Sequence, residues 1–251
     1  IEKLRLELPN STIESKRIAA TYRMNGDAPD MQSLRFEGTL NASRITPRDI
    51  ACFVPQLRGF DMPLALSIGF NGTGNSLNVN HLNIENIDHS FVFNAKAHVL
   101  RNAQTTWHAE VNRLFASNKT IGSVYKTITS NELPDIVNRL GDVSLTAKAD
   151  GTDADGSLST QLNCATGSIK LTAAKKQKAL RAHVETHKFE LGKLLNSDKA
   201  GIVSLSLDAQ GSSKDNICVS GSIYDISFNN YTYRNINLKA DYINKALNGS
   251  A

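Results

Sequence analysis

The stretch that decides the fold of this chain is Val203-Ser204-Leu205-Ser206-Leu207-Asp208-Ala209-Gln210-Gly211-Ser212. Apolar and polar residues alternate in this stretch without a break until the glycine. Successive side chains of a β-strand point to opposite faces, so the period of two predicts a strand with one apolar and one polar face. The apolar face consists of Val203, Leu205, Leu207 and Ala209.

The same pattern occurs twice more, ending at Gly72 and at Gly151, and we call the three copies the kernel strands. Their apolar residues are Leu64, Leu66, Ile68 and Phe70 in the first copy and Val143, Leu145, Ala147 and Ala149 in the second. On the opposite face, Ser67, Thr146 and Ser206 are predicted to meet water. The copies are irregularly spaced, further apart than the repeats of common solenoids, which predicts insertions between them. We expect the kernel strands to lie next to one another.

Around each kernel strand the chain keeps one order: a strand, a helical insert, the kernel strand, a turn and one or two further strands. This order divides the chain into 1–33, the tail of a preceding unit, and three repeat units, 34–100, 101–175 and 176–251. Phe91 and Phe93 belong to a later strand of the first unit and join its apolar face. The fold class predicted is mainly β, an elongated repeat of antiparallel, meandering strands forming a curved sheet or half-pipe, a β-taco-like groove, with short helical inserts.

The inserts are predicted near 46–57, 119–140 and 190–196. The first has Thr46 at the N-cap, Pro47 at the first helical position and the acidic Asp49 in the first turn, a pattern typical of a helix start. Gly141 is predicted to end the second insert, since glycine adopts the left-handed conformation of a helix terminus.

Composition and charge exclude some classes of function. The chain of 251 residues has 40% hydrophobic and 21% charged residues, which is ordinary for a globular protein. A net charge of +4 that is spread along the chain, with few aromatic residues, does not indicate nucleic-acid binding. The densest basic run, from Lys170 to Arg181, falls between two predicted strands and is interpreted as a solvated hairpin tip, with contact to anionic lipid headgroups as the alternative.

Cysteines and hydropathy give further limits. Cys52, Cys164 and Cys218 lie far apart without a CxxC pair, so at most one disulfide can form, and we expect none to be needed for folding. No window approaches the roughly 18 apolar residues of a membrane-spanning helix. Because the chain starts at Ile1 rather than methionine, we expect it to be an excised or processed piece of a longer protein.

Motifs of catalysis and metal binding are absent from the sequence. The segment 150–156 resembles a calcium loop, but its acidic residues miss the alternate ligand positions, so a polar turn is predicted. His183 and His187 have no third ligand in sight and are interpreted as a hydrogen-bonded or exposed pair. We expect no catalytic residues, no metal and no cofactor, and hence no enzyme.

Several stretches resemble one protein family. The segments Leu191-Gly192-Lys193-Leu194-Leu195, Asn230-Tyr231-Thr232-Tyr233-Arg234-Asn235-Ile236 and Ile45-Thr46-Pro47-Arg48-Asp49-Ile50-Ala51-Cys52-Phe53-Val54-Pro55, together with the last kernel strand, are similar to the periplasmic repeats of TamB proteins from Bacteroides-type bacteria. The likeness covers nearly the whole chain. The amino-terminal anchor and the carboxy-terminal domain of that family are not in this sequence.

The resemblance implies a function. TamB belongs with AsmA-like proteins, which are linked to long β-rich grooves across the periplasm, to outer-membrane assembly and to phospholipid movement. It implies a periplasmic segment, anchored in the inner membrane in the full-length protein, whose groove shields phospholipid acyl chains between the two membranes. The alternative is a structural or chaperone-like scaffold for outer-membrane β-barrels and autotransporters, with a BamA- or TamA-like barrel protein as partner.

The residues by themselves leave one question open. Alternating apolar faces form the core of most β proteins, and one sequence does not distinguish a closed core from an open groove. A right-handed β-helix acting on carbohydrate, a third hypothesis, lacks the acidic cluster that it needs. The apolar kernel residues are therefore predicted to line a groove. Whether another layer covers them distinguishes a closed core from an open groove.

Overall fold

The protein is mainly β and its strands are antiparallel, as the sequence predicts. The computed structural model describes residues 1–52, 55–213, 216–243 and 246–250. Strands hold 68% of the residues and helices 11%. The chain divides into two compact units, Ile1–Leu133 and Pro134–Ala251. The division into three sequence repeats stays a prediction.

The first unit is a meander in which each strand pairs with its neighbour in the chain. Its strands are β1 (Leu4–Glu7), β2 (Thr12–Asn25), β3 (Ala28–Ile45), β4 (Leu64–Thr73), β5 (Ser76–Asn86), β6 (Phe91–Arg101) and β7 (Thr105–Ala116). Two 3-10 helices, Pro47–Ile50 and Pro55–Leu57, lie between β3 and β4, and helix α1 (Asn118–Thr129) follows β7.

The second unit is built in the same way. Its strands are β8 (Val143–Thr152), β9 (Gly156–Cys164), β10 (Gly167–Lys176), β11 (Ala179–Glu190), β12 (Ala200–Ser213), β13 (Asn216–Phe228), β14 (Tyr231–Ile243) and β15 (Ala246–Ser250). The short helix α2 (Asp135–Asn138) precedes β8, and α3 (Leu191–Leu195) connects β11 to β12.

The kernel strands are β4, β8 and β12, and the expectation that they lie next to one another is wrong. In the second unit β9, β10 and β11 lie between the two kernel strands. Each strand pairs instead with the strand that a short turn brings beside it. A short turn joins two antiparallel strands at little cost in chain entropy. Pairing two kernel strands would close a long connection, which costs more chain entropy.

The three predicted inserts have different structures. The second and third form helices, and Gly141 has a φ of 66° after the second, as predicted. The first forms only 3-10 turns, and its residues Phe53 and Val54 lie outside the described residues. Thr46 occupies the N-cap position, but its side chain makes no capping hydrogen bond and donates to the carbonyl of Asn10 at 2.9 Å.

The chain exposes more surface than compact globular domains of its mass would. The accessible surface of this 27.3 kDa chain is 16413 Å². Two separate compact domains of half that mass would together expose about 13,000 Å². Within the described part of the chain, the buried apolar side chains are Ala51, Val92, Ala116, Phe189 and Val203. A single sheet layer within each unit explains both observations, since such a layer has two open faces.

Fully buried serines hold the irregular positions of the sheet. Ser43 accepts a hydrogen bond from the backbone N–H of Glu14 at 2.9 Å, where β3 carries an extra residue before the first insert. Ser204 accepts from the N–H of Lys188 at 2.9 Å and donates to Asp225 at 3.2 Å, beside the bulge that follows Thr186. A bulge leaves backbone groups unpaired, so these hydroxyls replace lost ladder bonds.

Candidate functional site: a one-sided apolar sheet

Rows of directly opposed residues cross the second unit, perpendicular to its strands. Directly opposed residues of an antiparallel pair lie on the same face. One row joins Leu145, Leu162, Ile169, Thr186, Leu205, Ile223 and Ile236. The next two rows join Ala147, Thr160, Leu171, Val184, Leu207, Gly221 and Leu238, and Ala149, Leu158, Ala173, Ala182, Ala209, Val219 and Ala240. Together they form one nearly uninterrupted apolar face from β8 to β14.

The first unit has a face of the same kind. Its rows join Leu66, Ile84, Phe93 and Leu114; Leu40, Ile68, Leu82, Ala95 and Val111; and Gly38, Phe70, Val79, Ala97 and Ala109. An extra residue in β5, Asn80, interrupts the register between Val79 and Leu82 and is exposed. The apolar sequence pattern resumes on the same face after this bulge.

The structure brings the predicted groove residues of each unit onto one face. Those of the first unit are Leu64, Leu66, Ile68, Phe70, Phe91 and Phe93, and all are half-buried. Those of the second unit are Val143, Leu145, Ala147, Ala149, Leu205, Leu207 and Ala209, also half-buried, and Val203, which is buried. Val203 differs because it lies between Phe189 and Ile226, next to the third insert. That these residues line a lipid groove stays a prediction.

The apolar face is open rather than sealed. Leu158 and Leu180 in the second unit are 37% and 51% accessible, and Leu77 in the first is 40% accessible. Neighbouring side chains on the same sheet face cover part of each leucine. A second layer packed on this face would bury the leucines almost completely. These leucines lie near hairpin turns, and most apolar residues further along the face are half-buried rather than buried. Both observations favour the groove interpretation over a closed core.

The opposite face is polar throughout the second unit. Its rows join Thr146, Gln161, Lys170, Glu185, Ser206, Ser222 and Asn237, and Lys148, Ser159, Thr172, His183, Asp208, Ser220 and Lys239. His183 and Asp208 interact across β11 and β12 at 2.9 Å. The first unit has a similar pair on its polar face, Lys96 and Glu110, at 2.8 Å. Polar and charged side chains of these rows can therefore interact with water or with one another.

A shallow hollow of about 730 Å³ lies on the polar face of the second unit. It contains Arg181, His183 and Asp208 with several hydroxyl side chains, so charges of both signs meet there.

His183 is hydrogen-bonded, as predicted, and His187 is exposed at the bulge. Nowhere among the described residues do three or more histidine, cysteine or acidic side chains group as metal ligands would. The segment 150–156 forms the predicted turn, where Thr152 accepts from the N–H of Asp155 at 3.1 Å.

The cysteines are separate free thiols. Cys52 is exposed, whereas Cys164 and Cys218 are half-buried in strands. A hydrogen bond with Asp241 and partial burial raise the pKa of the Cys218 thiol. This keeps Cys218 in the unreactive thiol form.

Comparison with family models, curated proteins and solved structures finds no match to this chain. The resemblance to TamB repeats therefore stands on the sequence stretches alone. In the part of the chain that the structure describes, no helix has the length and apolar character needed to cross a membrane.

The sequence pattern missed a second feature, a pocket beside α1. Phe60, Met62, Asn86 and Val124 contribute to it from three separate segments, so no periodicity connects them. The one local signal is Ser117 three residues before Thr120, which is the spacing of an N-cap. Ser117 does cap α1, accepting from the N–H of Thr120 at 3.2 Å. A cap locates a helix but does not indicate a pocket.

Proposed function

We propose that this chain is a segment of an envelope-spanning TamB/AsmA-like protein whose apolar sheet face shields phospholipid acyl chains on their way between the inner and outer membranes. The observation that carries the proposal is the open apolar face, continuous from strand to strand within each unit. The site of action is the periplasm, with an inner-membrane anchor and a BamA- or TamA-like barrel protein as expected partners of the full-length protein.

The size of the hydrophobic effect supports lipid as the cargo. Exposing an acyl chain to water costs about 0.8 kcal/mol per methylene, so two chains of about fifteen carbons cost roughly 20 kcal/mol. Phospholipids therefore do not cross an aqueous compartment unaided. An apolar face removes most of this cost without specific contacts, which suits side chains such as Leu205, Leu207 and Ala209 that only provide apolar area.

The alternation of faces gives the direct test. Photo-crosslinking residues are placed one at a time in the full-length protein in living cells, and the captured molecules are identified by mass spectrometry. Phospholipid is expected at the apolar positions and not at the polar ones. The apolar positions are Leu66, Ile68, Leu145 and Leu207, and the matched polar positions are Ser67, Thr146 and Ser206.

The outcomes separate the two candidate functions. Phospholipid at the apolar set alone supports transport. Outer-membrane protein captured without lipid favours the assembly scaffold, and no capture at either set means that the face is closed in the cell and that the proposal is wrong.

A further inference from the structure

A pocket of about 500 Å³ lies at one end of the first unit, next to the start of the kernel strand β4. Three segments enclose it: residues 59–63 after the first insert, the turn between β5 and β6, and helix α1. Its volume falls in the range of small-molecule sites, about 300–1,000 Å³. The helix and the segment 59–63 are in close contact, since a Cβ built on Gly59 would stand 2.6 Å from Cγ2 of Thr127.

The base of the pocket is a complete hydrogen-bond network. The buried Asn86 donates to Oγ of Ser90 at 2.7 Å and to Sδ of Met62 at 3.4 Å, and it accepts from the N–H of Phe91 at 2.8 Å. Ser90 Oγ is 2.8 Å from Oγ1 of the buried Thr120. Because these polar groups are hydrogen-bonded to one another, the base of the pocket is held in place and needs no hydrogen bond from a ligand.

Apolar surface exceeds polar surface in the pocket, although Ser123 and Thr127 also line it. Phe60, Met62 and Pro63 come from one side and Val124 from the helix, while Ile87 at the mouth is 75% accessible. A large apolar side chain held in water beside an apolar pocket is costly unless something covers both. The walls therefore suit an alkyl chain.

The rim carries charges of both signs. Asp88 and Lys119 both line the pocket, and Asp61 is paired with Arg48 at 3.3 Å. Hydrogen bonds from Ser90 lower the pKa of the Asp88 carboxyl, and the Lys119 ammonium lowers it further, so Asp88 is ionised at neutral pH. A purely anionic headgroup would be repelled by Asp88 and a purely cationic one by Lys119. A headgroup with both charges complements the rim.

We propose that this pocket binds one acyl chain of a phospholipid with a zwitterionic phosphoethanolamine headgroup, whose ammonium lies at Asp88 and whose phosphate lies at Lys119. The inference rests on the proposed transport of phospholipid and adds a headgroup preference to it. The apolar sheet face takes chains of any lipid, whereas this pocket selects one headgroup class.

The first test uses the native methionines as probes. The chain has 3 methionines, and Met24 and Met31 are exposed elsewhere in the first unit, at 58% and 59% accessibility. The protein, labelled with carbon-13 at the methionine methyl groups, is titrated with myristoyl lysophosphatidylethanolamine below its micelle concentration. We expect the Met62 signal to shift saturably while the other two stay unchanged. Equal shifts of all three, or none, would overturn the assignment.

Two further ligands separate the chain from the headgroup. Glycerophosphoethanolamine, which has the headgroup without the chain, is expected to bind at least about tenfold more weakly, because it buries no methylenes. Myristoyl lysophosphatidylglycerol has the chain with an anionic head and is expected to bind about tenfold more weakly, since it lacks the ammonium partner of Asp88. Equal affinity for the two lysolipids would refute the headgroup preference.

Substitutions provide matched controls. Val124→Trp fills the pocket and should abolish the Met62 shift, whereas Ile128→Trp, on the same helix but outside the pocket and 61% accessible, should preserve it. Asp88→Asn keeps an acceptor for the N–H of Ser90, which lies at 3.1 Å, and removes the negative charge. It should weaken lysophosphatidylethanolamine about tenfold and leave lysophosphatidylglycerol no weaker. A preserved preference in Asp88→Asn would contradict the role given to Asp88.

Failure here is distinguishable from failure of the transport proposal. If lipid crosslinks from Leu66 and Leu207 are found but Met62 does not respond, only the pocket assignment is wrong. If Met62 responds and the face captures no lipid, the pocket stands as a headgroup-selective lipid site and the transport proposal falls.

Discussion

The ring of Phe70 lies against Gly38 on the neighbouring strand, so that a Cβ built on Gly38 would stand 2.5 Å from Cζ of Phe70. The same relationship holds in the opposite direction, because a Cβ on Gly72 would stand 2.5 Å from Cζ of Phe36. The two rings are neighbours, with centroids 6.4 Å apart. Each aromatic side chain thus covers a glycine that offers no side chain of its own, which keeps the apolar face continuous.

Gly38→Ala should destabilise the first unit by about 1 kcal/mol, since the new methyl group pushes the Phe70 ring off its rotamer. In a Phe70→Leu background the same change should cost nearly nothing, which makes the pair a double-mutant cycle. Urea unfolding measures both. Gly122→Ala in α1 is the control, because nothing lies within 4 Å of its Cβ position and alanine favours a helix. An equal loss in both backgrounds would show that the ring contact is not the cause.

The glycine at the end of the first kernel strand shows which features the sequence predicts and which it does not. Alternation up to Gly72 predicts a strand that ends near a glycine, and β4 does run from Leu64 to Thr73. A Cβ on Gly72 would stand 2.2 Å from the backbone oxygen of Ser76 and 2.5 Å from the ring of Phe36. Only the pairing of β3 with β4 brings that ring there. The alternation of apolar and polar residues predicts the strand and its two faces. A contact between strands also depends on their register, and β-bulges shift that register without a signal in the alternation.

Ser204→Ala should destabilise the second unit by about 1–3 kcal/mol, because the N–H of Lys188 loses the acceptor that the fully buried Ser204 hydroxyl provides. Ser206→Ala, two residues along the same strand face and half-buried, should change stability by less than about 0.5 kcal/mol. Chemical unfolding of both variants gives the comparison. Similar losses in the two variants would mean that the bulge does not depend on the Ser204 hydroxyl.

These buried serines could not be recognised beforehand. In the sequence, Ser204 and Ser206 are equivalent polar residues of one alternating stretch, yet one is fully buried and the other is not. The difference comes from the extra residue in β11 after Thr186 and from the third insert beside it. A bulge adds a single residue without changing composition, so periodicity alone does not locate it.

Asp49 should make the first unit sensitive to acid. Its carboxylate accepts hydrogen bonds from Oγ of Ser11 at 2.6 Å and from the N–H and side chain of Asn10 at 2.8 and 3.1 Å. The Ser11 hydroxyl, the two Asn10 groups and the Arg48 charge lower the pKa of Asp49, although partial burial opposes them. A lowered folded-state pKa adds stability above the unfolded value, about 3.9, which is lost as the pH falls through the folded value.

The measurement is the urea midpoint as a function of pH for the wild type and for Asp49→Asn. At neutral pH the wild type should be more stable, and the difference should shrink as the pH falls below about 4. Ser11→Ala removes the 2.6 Å hydrogen bond to the Asp49 carboxylate and should reduce the pH dependence in the same window. A difference that stays constant from neutral to acid pH would show that the ionised carboxylate does not hold the first insert.

The last prediction compares two apolar residues on one strand face. Leu205 is half-buried between Thr186 and Ile223, whereas Val203 is buried next to Phe189. Leu205→Asp should therefore leave a folded protein, less stable by about 2 kcal/mol, because the carboxylate reaches water across the open face. Val203→Asp should cost more than about 4 kcal/mol, since its charge has no access to solvent.

Circular dichroism and urea unfolding measure folding, and transfer of labelled phospholipid between vesicles measures function. Ser206→Asp on the polar face is the control for an added charge and should preserve both. If the apolar face is open and carries lipid, the Leu205→Asp protein should fold but no longer transfer phospholipid. Each acyl chain that passes the new carboxylate would have to displace its water, which costs free energy. If Leu205→Asp unfolds the unit as completely as Val203→Asp, the face is a sealed core in solution, and a sealed core has no room for an acyl chain.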